Sequence, residues 1–157
     1  MTTSVRKSVG ADVFVLASRL RSADLQEIRA LRGSTPIETV LQDGYRFSEP
    51  CLTGTLDNKP VVMFGVAPIF DRDQVLKIGS IWLLGTDAIS EQIPTSFLRW
   101  SKKMLPVLTQ PYDVVFNIVD KRNEVHVKWI KWLGFSFIRE IPIGVNGEPF
   151  YEFARIS

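Results

Sequence analysis

The chain has 157 residues, 45% of them hydrophobic and 23% charged, which is enough for one domain with a substantial core. A formal net charge of +2 is too small to argue for a nucleic-acid binder, and no apolar run approaches the ~20 residues of a membrane-spanning helix. With one cysteine, Cys51, no internal disulfide can form, as suits a reducing compartment.

Residues 1–10 are small and polar, lack the apolar region of a signal peptide, and read as a loose or partner-docked arm. Val13 to Leu16 reads as a first short strand. Ser22 then caps a helix with Leu25, Ile28 and Leu31 on one face, ended by Gly33. A second helix follows Pro36 and stops at Gly44. Cys51 to Leu56 and Val61 to Val66 form a hairpin across the turn Asp57-Asn58-Lys59. Gly65, inside the second of these, suggests a bulge or a close backbone approach.

Leu76 to Leu84 is the next strand, and residues 86–94 are a linker. Thr95 caps a helix whose apolar face holds Phe97, Leu98, Met104, Leu105 and Leu108, with Pro106 as a late kink or end. Tyr112 to Phe135 is a strand, a charged turn and a helix: Val114 to Val119 is buried, Asn123 caps, and Gly134 closes. Phe135 to Ile143 and Phe150 to Ile156 pair across Val145-Asn146-Gly147, where Asn-Gly accepts positive φ. The order predicts one α+β domain over 1–157: a mostly antiparallel mixed sheet of about seven strands, about four helices and one parallel neighbour pair.

That order, with Leu133-Gly134-Phe135 ending the last helix, resembles the GNAT superfamily of acyl-CoA-dependent N-acetyltransferases. The pieces LLGTD at 83–87 and NEVHVKWIKWLG at 123–134 are similar to the GNAT-like internal virion proteins of short-tailed phages. The superfamily resemblance implies two devices. One is a glycine-bearing pyrophosphate loop leading into a helix, where backbone N–H groups and the helix dipole hold the phosphates. The matching stretch, 86–94, has no glycine and carries Asp87 and Glu91; Thr95 and Ser96 offer weaker contacts. The other is a tyrosine that protonates the leaving thiolate; counting back from Gly134, its place is taken by Ile130, which has no proton to give.

The resemblance therefore implies a GNAT-fold protein with a degenerate acetyl-CoA site, no cofactor, and a structural or interaction role among other phage proteins, in the virion or the host cytoplasm. The alternative is an acetyl-CoA-dependent N-acetyltransferase acting on an amine. In that case Leu83, Leu84, Asn117 and Asn123 hold the cofactor, with splayed strands near Leu83 and Asn117 and backbone groups polarising the thioester. No catalytic residue is singled out. Glu38, Glu49 and Asp71 are possible bases, and Tyr45 and Tyr151 possible acids. His126, the lone histidine, shares a helix face with Trp129, Ile130 and Leu133 and reads as packed; no ligands for a metal stand at suitable spacing. Trp129, Trp132, Phe135 and Phe137 read as core, or else as a patch for a protein partner.

Overall fold

The computed structural model describes residues 2–70, 75–89 and 95–156, without the side chain of Ser96. In chain order these residues form β1 (Thr3–Lys7), α1 (Gly10–Ala17), α2 (Ser22–Arg32), α3 (Ile37–Phe47), β2 (Cys51–Leu56), β3 (Lys59–Ile69) and β4 (Ile78–Gly85). A 3-10 turn (Asp87–Ile89) leads on to α4 (Thr95–Thr109), β5 (Val114–Asp120), α5 (Glu124–Trp132), β6 (Ser136–Ile143) and β7 (Glu148–Ile156). All seven strands form one sheet in the order β1-β2-β3-β4-β5-β7-β6. Every neighbouring pair is antiparallel except β4–β5.

Strand alternation divides the core into two layers. On one face Val62, Phe64, Ile81 and Leu83 pack with Phe97, Leu105 and Leu108 of α4 and Val127 and Ile130 of α5. On the other, Met63, Trp82 and Leu84 pack with Val13 and Leu16 of α1, Ile28 of α2 and Leu41 of α3.

The expected α+β mixed sheet of seven strands is present, but the first strand lies elsewhere. Residues Thr3–Lys7 are no loose arm; they pair antiparallel with β2 at the sheet edge. Val13 to Leu16 belongs to α1, so the described residues contain five α-helices rather than four. A four-residue apolar run does not distinguish strand from buried helix. Here Val13 and Leu16, three apart, are both fully buried on one helical face. Asp12 in the first turn accepts the Val9 N–H (2.9 Å) and a bidentate pair of bonds from Arg6 (2.8 Å each).

Other boundaries move by less. Arg21 and Pro36, not Ser22 and a helical Pro36, stand at the caps of α2 and α3. Gly44 lies inside α3, and α4 runs past Pro106 to Thr109. The bulge falls at Gly54/Thr55 rather than at Gly65, which instead closely approaches the Pro50 carbonyl. In the β2–β3 hairpin Asp57 and Asn58 both have positive φ (49° and 66°), the primed two-residue turn. Around Val145-Asn146 the positive φ values belong to Gly144 and Gly147, not to Asn146. Gly134 closes α5 with φ 92°, as its position predicts.

Candidate active site

The sheet opens between β4 and β5. Their parallel pairing covers only Ile78–Ser80 against Val114–Phe116. Both strands continue beyond it, β4 to Gly85 held by β3 and β5 to Asp120 held by β7. The two strands thus form a fork, each prong fastened only on its outer side.

Side chains replace the missing ladder at both ends of the fork. At the closed end Asn117 Nδ2 donates to the Ile81 carbonyl (2.6 Å), and its Oδ1 accepts the Ile118 N–H (2.8 Å). At the open end α2 spans the gap. Asp24 Oδ2 accepts the Gly85 N–H of β4 (2.9 Å), and Glu27 Oε1 accepts the Asp120 N–H of β5 (2.6 Å). Because the Ile81 carbonyl points at β5, the two-residue period of the strand turns the Leu83 N–H and C=O into the opening as well. Leu83 has no strand partner there.

A cavity of about 580 Å³ occupies the fork. Ile81, Leu83, Trp100, Ser101 and Ile130 line it on the α4–α5 face, and Ile28, Val40, Phe47, Trp82 and Leu84 on the α2–α3 face. Since Ile81 and Leu83 belong to one core layer and Trp82 and Leu84 to the other, the cavity is a channel through the sheet. Glu27, Asn117 and His126 also line it.

A buried ionic cluster backs the channel. Arg21 donates to both oxygens of Asp24 (2.9 and 3.3 Å) and to Asn123 Oδ1 (3.0 Å). Asn123 Nδ2 donates to Asp24 Oδ1 (3.1 Å). Burial pushes the Glu27 carboxyl up to about 8, helped by the nearby Asp24 and Asp120 charges against the Asp120 N–H. Burial likewise draws His126 down to about 4, against the pull of Asp24. His126 Nδ1 lies 3.7 Å from Asp24 Oδ1, and its Nε2 has no hydrogen-bond partner. Both shifts favour the uncharged forms of Glu27 and His126 at neutral pH.

Asp24, Glu27 and His126 bring ligand atoms within 4.8 Å of one another, a convergence that no sequence spacing announces. The donor set does not suit a metal ion. Asp24 is already bonded by Arg21, Asn123 and Gly85, so a divalent cation would displace those bonds and face the Arg21 charge.

The sequence-predicted residues fall in different places. Leu83 faces the channel from the α4–α5 side, Leu84 from the other, and Asn117 stands at the closed end. Asn123 makes no side-chain cap; it points into the Arg21–Asp24 cluster and does not line the channel. Ile130 does line it. Trp129 is buried and donates to Ser101 Oγ (3.2 Å), whereas Trp132 is exposed beneath Lys102. Glu38 is exposed on α3, Tyr45 and Glu49 line a separate hollow, and Tyr151 lies under Lys121. Asp71, Glu91 and most of the 86–94 stretch lie outside the described residues.

Sequence reasoning missed Glu27 and its partners. Their signal was a charged stripe, Arg21, Asp24 and Glu27 at intervals of three, beside the apolar positions Leu25 and Ile28. Charges in that position face the core and need partners from elsewhere in the chain.

No protein-family model matches the chain, and no curated protein matches it by sequence. Solved structures do match by shape. A GNAT-family acetyltransferase from Streptococcus pneumoniae superposes with a TM-score of 0.65 at 14% identity, over 99% of this chain and 100% of that one. A putative acetyltransferase from Salmonella typhimurium, solved with its cofactor acetyl-CoA, gives 0.73 at 12% over 99% and 94%. An aminoglycoside N(6')-acetyltransferase from Legionella pneumophila gives 0.70 at 11% over 98% and 91%. The chain therefore has the GNAT acetyltransferase fold. At these identities the likeness concerns architecture alone.

Proposed function

We propose that the chain is an acetyl-CoA-dependent N-acetyltransferase that passes the acyl group to an amine through the β4–β5 fork. The observation that carries this reading is the channel itself, which crosses the sheet and holds a buried carboxyl, Glu27, with no cation paired to it among the described residues and with apolar walls around it. A reaction between two substrates bound on opposite faces needs such a passage, with a proton acceptor inside it.

The donor side suits a pantetheine arm: it is apolar, and Leu83 offers backbone groups in strand-pairing orientation. A thioester supplies an acyl carbon open to amine attack. The Leu83 N–H is directed where negative charge develops on the acyl oxygen. Glu27, once ionised, takes the proton that the amine sheds as the C–N bond forms and the C–S bond breaks. Asn117 and the Asp24–Arg21 pair keep the prongs apart so that both groups reach the same space. Among the described channel residues the hydroxyls are Ser80 and Ser101, so the thiolate leaves without a tyrosine beside it.

A second reading is an interaction module of a phage particle, bound to other phage proteins. It is favoured by Ile130 in the channel wall where an acid is expected, and by Asp87 and Glu91 in a stretch without glycine. Thermal shift or calorimetry with acetyl-CoA separates the two. At about 100 times its Kd the donor should stabilise the fold by about 2.7 kcal/mol. Binding in the micromolar range, with turnover on an amine, supports the transferase. No shift at millimolar acetyl-CoA and no turnover on an amine panel would leave the interaction module, for which adjacent head, tail or internal-core genes would speak.

A further inference from the structure

We infer that the acceptor entering at the α2–α3 mouth is a small primary monoamine with an apolar, aryl-sized body. The inference rests on the acyl-transfer reading above.

The acceptor half of the channel has walls of Ile28, Leu31, Val40, Phe47 and Trp82. Trp82 is fixed in place. Its Nε1 donates to Ser48 Oγ (2.6 Å), and its ring lies so close to Gly44 that a Cβ there would stand 2.7 Å from it. A helix interior disfavours glycine, and here the glycine makes room for a flat aromatic wall. At the mouth, Leu31 and Phe47 remain 41% and 60% exposed and form an apolar rim. A ligand with an apolar body would remove that rim from water.

The carboxylate at the mouth is already engaged. Among the described residues lining the mouth, Arg32 and Asp43 form an ion pair at 3.0 Å, so a second ammonium of the ligand finds no free carboxylate there, and Arg46, over the Phe47 ring at 5.6 Å, adds a positive charge that repels it. The carboxyl left for an amine is Glu27, at the inner end, with no cation paired to it among the described residues. A single amino group thus goes inward and an uncharged body stays at the walls. Ring hydroxyls, as on an amino sugar, would lose their water partners against Ile28, Val40 and Trp82.

The test is steady-state acetyl transfer from acetyl-CoA to 2-phenylethylamine, putrescine, lysine and glucosamine, alongside thermal-shift titration of acetyl-CoA alone. The expected result is a kcat/KM for 2-phenylethylamine about 100-fold or more above each polar amine. In Phe47→Ser, whose site is exposed enough to spare the fold, the KM for 2-phenylethylamine should rise about tenfold. The KM of acetyl-CoA should stay unchanged in that variant. Where acetyl-CoA binds but the polar amines are used as well as 2-phenylethylamine, or no amine is used, the acceptor assignment is overturned. If acetyl-CoA neither binds nor is consumed, the acyl-transfer reading fails and the assignment falls with it.

Discussion

Glu27 carries the most consequence of any single residue. Its carboxyl is held near 8 in the folded chain against an ordinary 4.5. A raised acid contributes stability that is complete below the unfolded value and is lost as pH climbs through the folded one. His126, held near 4 against 6.5, contributes stability above 6.5 that is lost as pH falls toward 4. The two slopes oppose each other between 4.5 and 6.5, and only that of Glu27 remains above 6.5. Urea denaturation should therefore show stability declining from pH 6.5 to 8, and Glu27→Gln, which keeps an acceptor for the Asp120 N–H, should flatten that decline. In the proposed transferase the same ionisation should make acyl transfer rise with pH up to about 8. A pH–rate profile that is unchanged in Glu27→Gln would remove this residue from the chemistry. Asn117 acts by position. Asn117→Ala leaves the Ile81 carbonyl and the Ile118 N–H without their partner at the closed end of the fork. A loss of about 1–3 kcal/mol in stability is expected, with a larger proportional loss of turnover than of acetyl-CoA affinity, because the gap changes shape.

Among the elements, α2 decides the site. An amphipathic helix ordinarily turns its charges to solvent, but α2 turns Asp24 and Glu27 inward, where they bind the last N–H groups of the two prongs. Its first turn is joined to the start of α5 through Arg21 and Asn123. Asp24 is fully buried and Arg21 nearly so. Arg21→Met should thus strand a buried carboxylate and cost about 3–5 kcal/mol, read by chemical denaturation. The double variant Arg21→Met with Asp24→Leu should recover part of that loss, since an apolar pair need not be solvated. Recovery of stability without recovery of transfer would separate the structural duty of Asp24 from its duty at the fork.

For the molecule as a whole, the seven-stranded sheet with one parallel pair creates an opening between β4 and β5, where these neighbouring strands part. In the proposed transferase the two helical layers supply one substrate space each. Much of this plan was legible in the chain. The hairpin around Asp57-Asn58, the apolar face of α4, and the strand, turn and helix closed by Gly134 all arise from neighbours in sequence, where period, capping and turn chemistry act over a few residues. Those local elements, in that order, determined the α+β class, and the family resemblance implied a splay near Leu83 and Asn117. Short-range signals failed at Val13 to Leu16, where four apolar residues suit strand and helix alike. They also failed at Asn123, whose cap position hid a partnership with Arg21, 102 residues away. Glu27 could not be recognised for the same reason. Its carboxyl acquires its altered affinity for protons only when the fold removes water and sets Asp24 and Asp120 beside it. Sequence alone determined which elements form. The tertiary structure decided which charges are buried together and that a channel crosses the sheet, because burial and through-space electrostatics depend on distances between segments far apart in the chain.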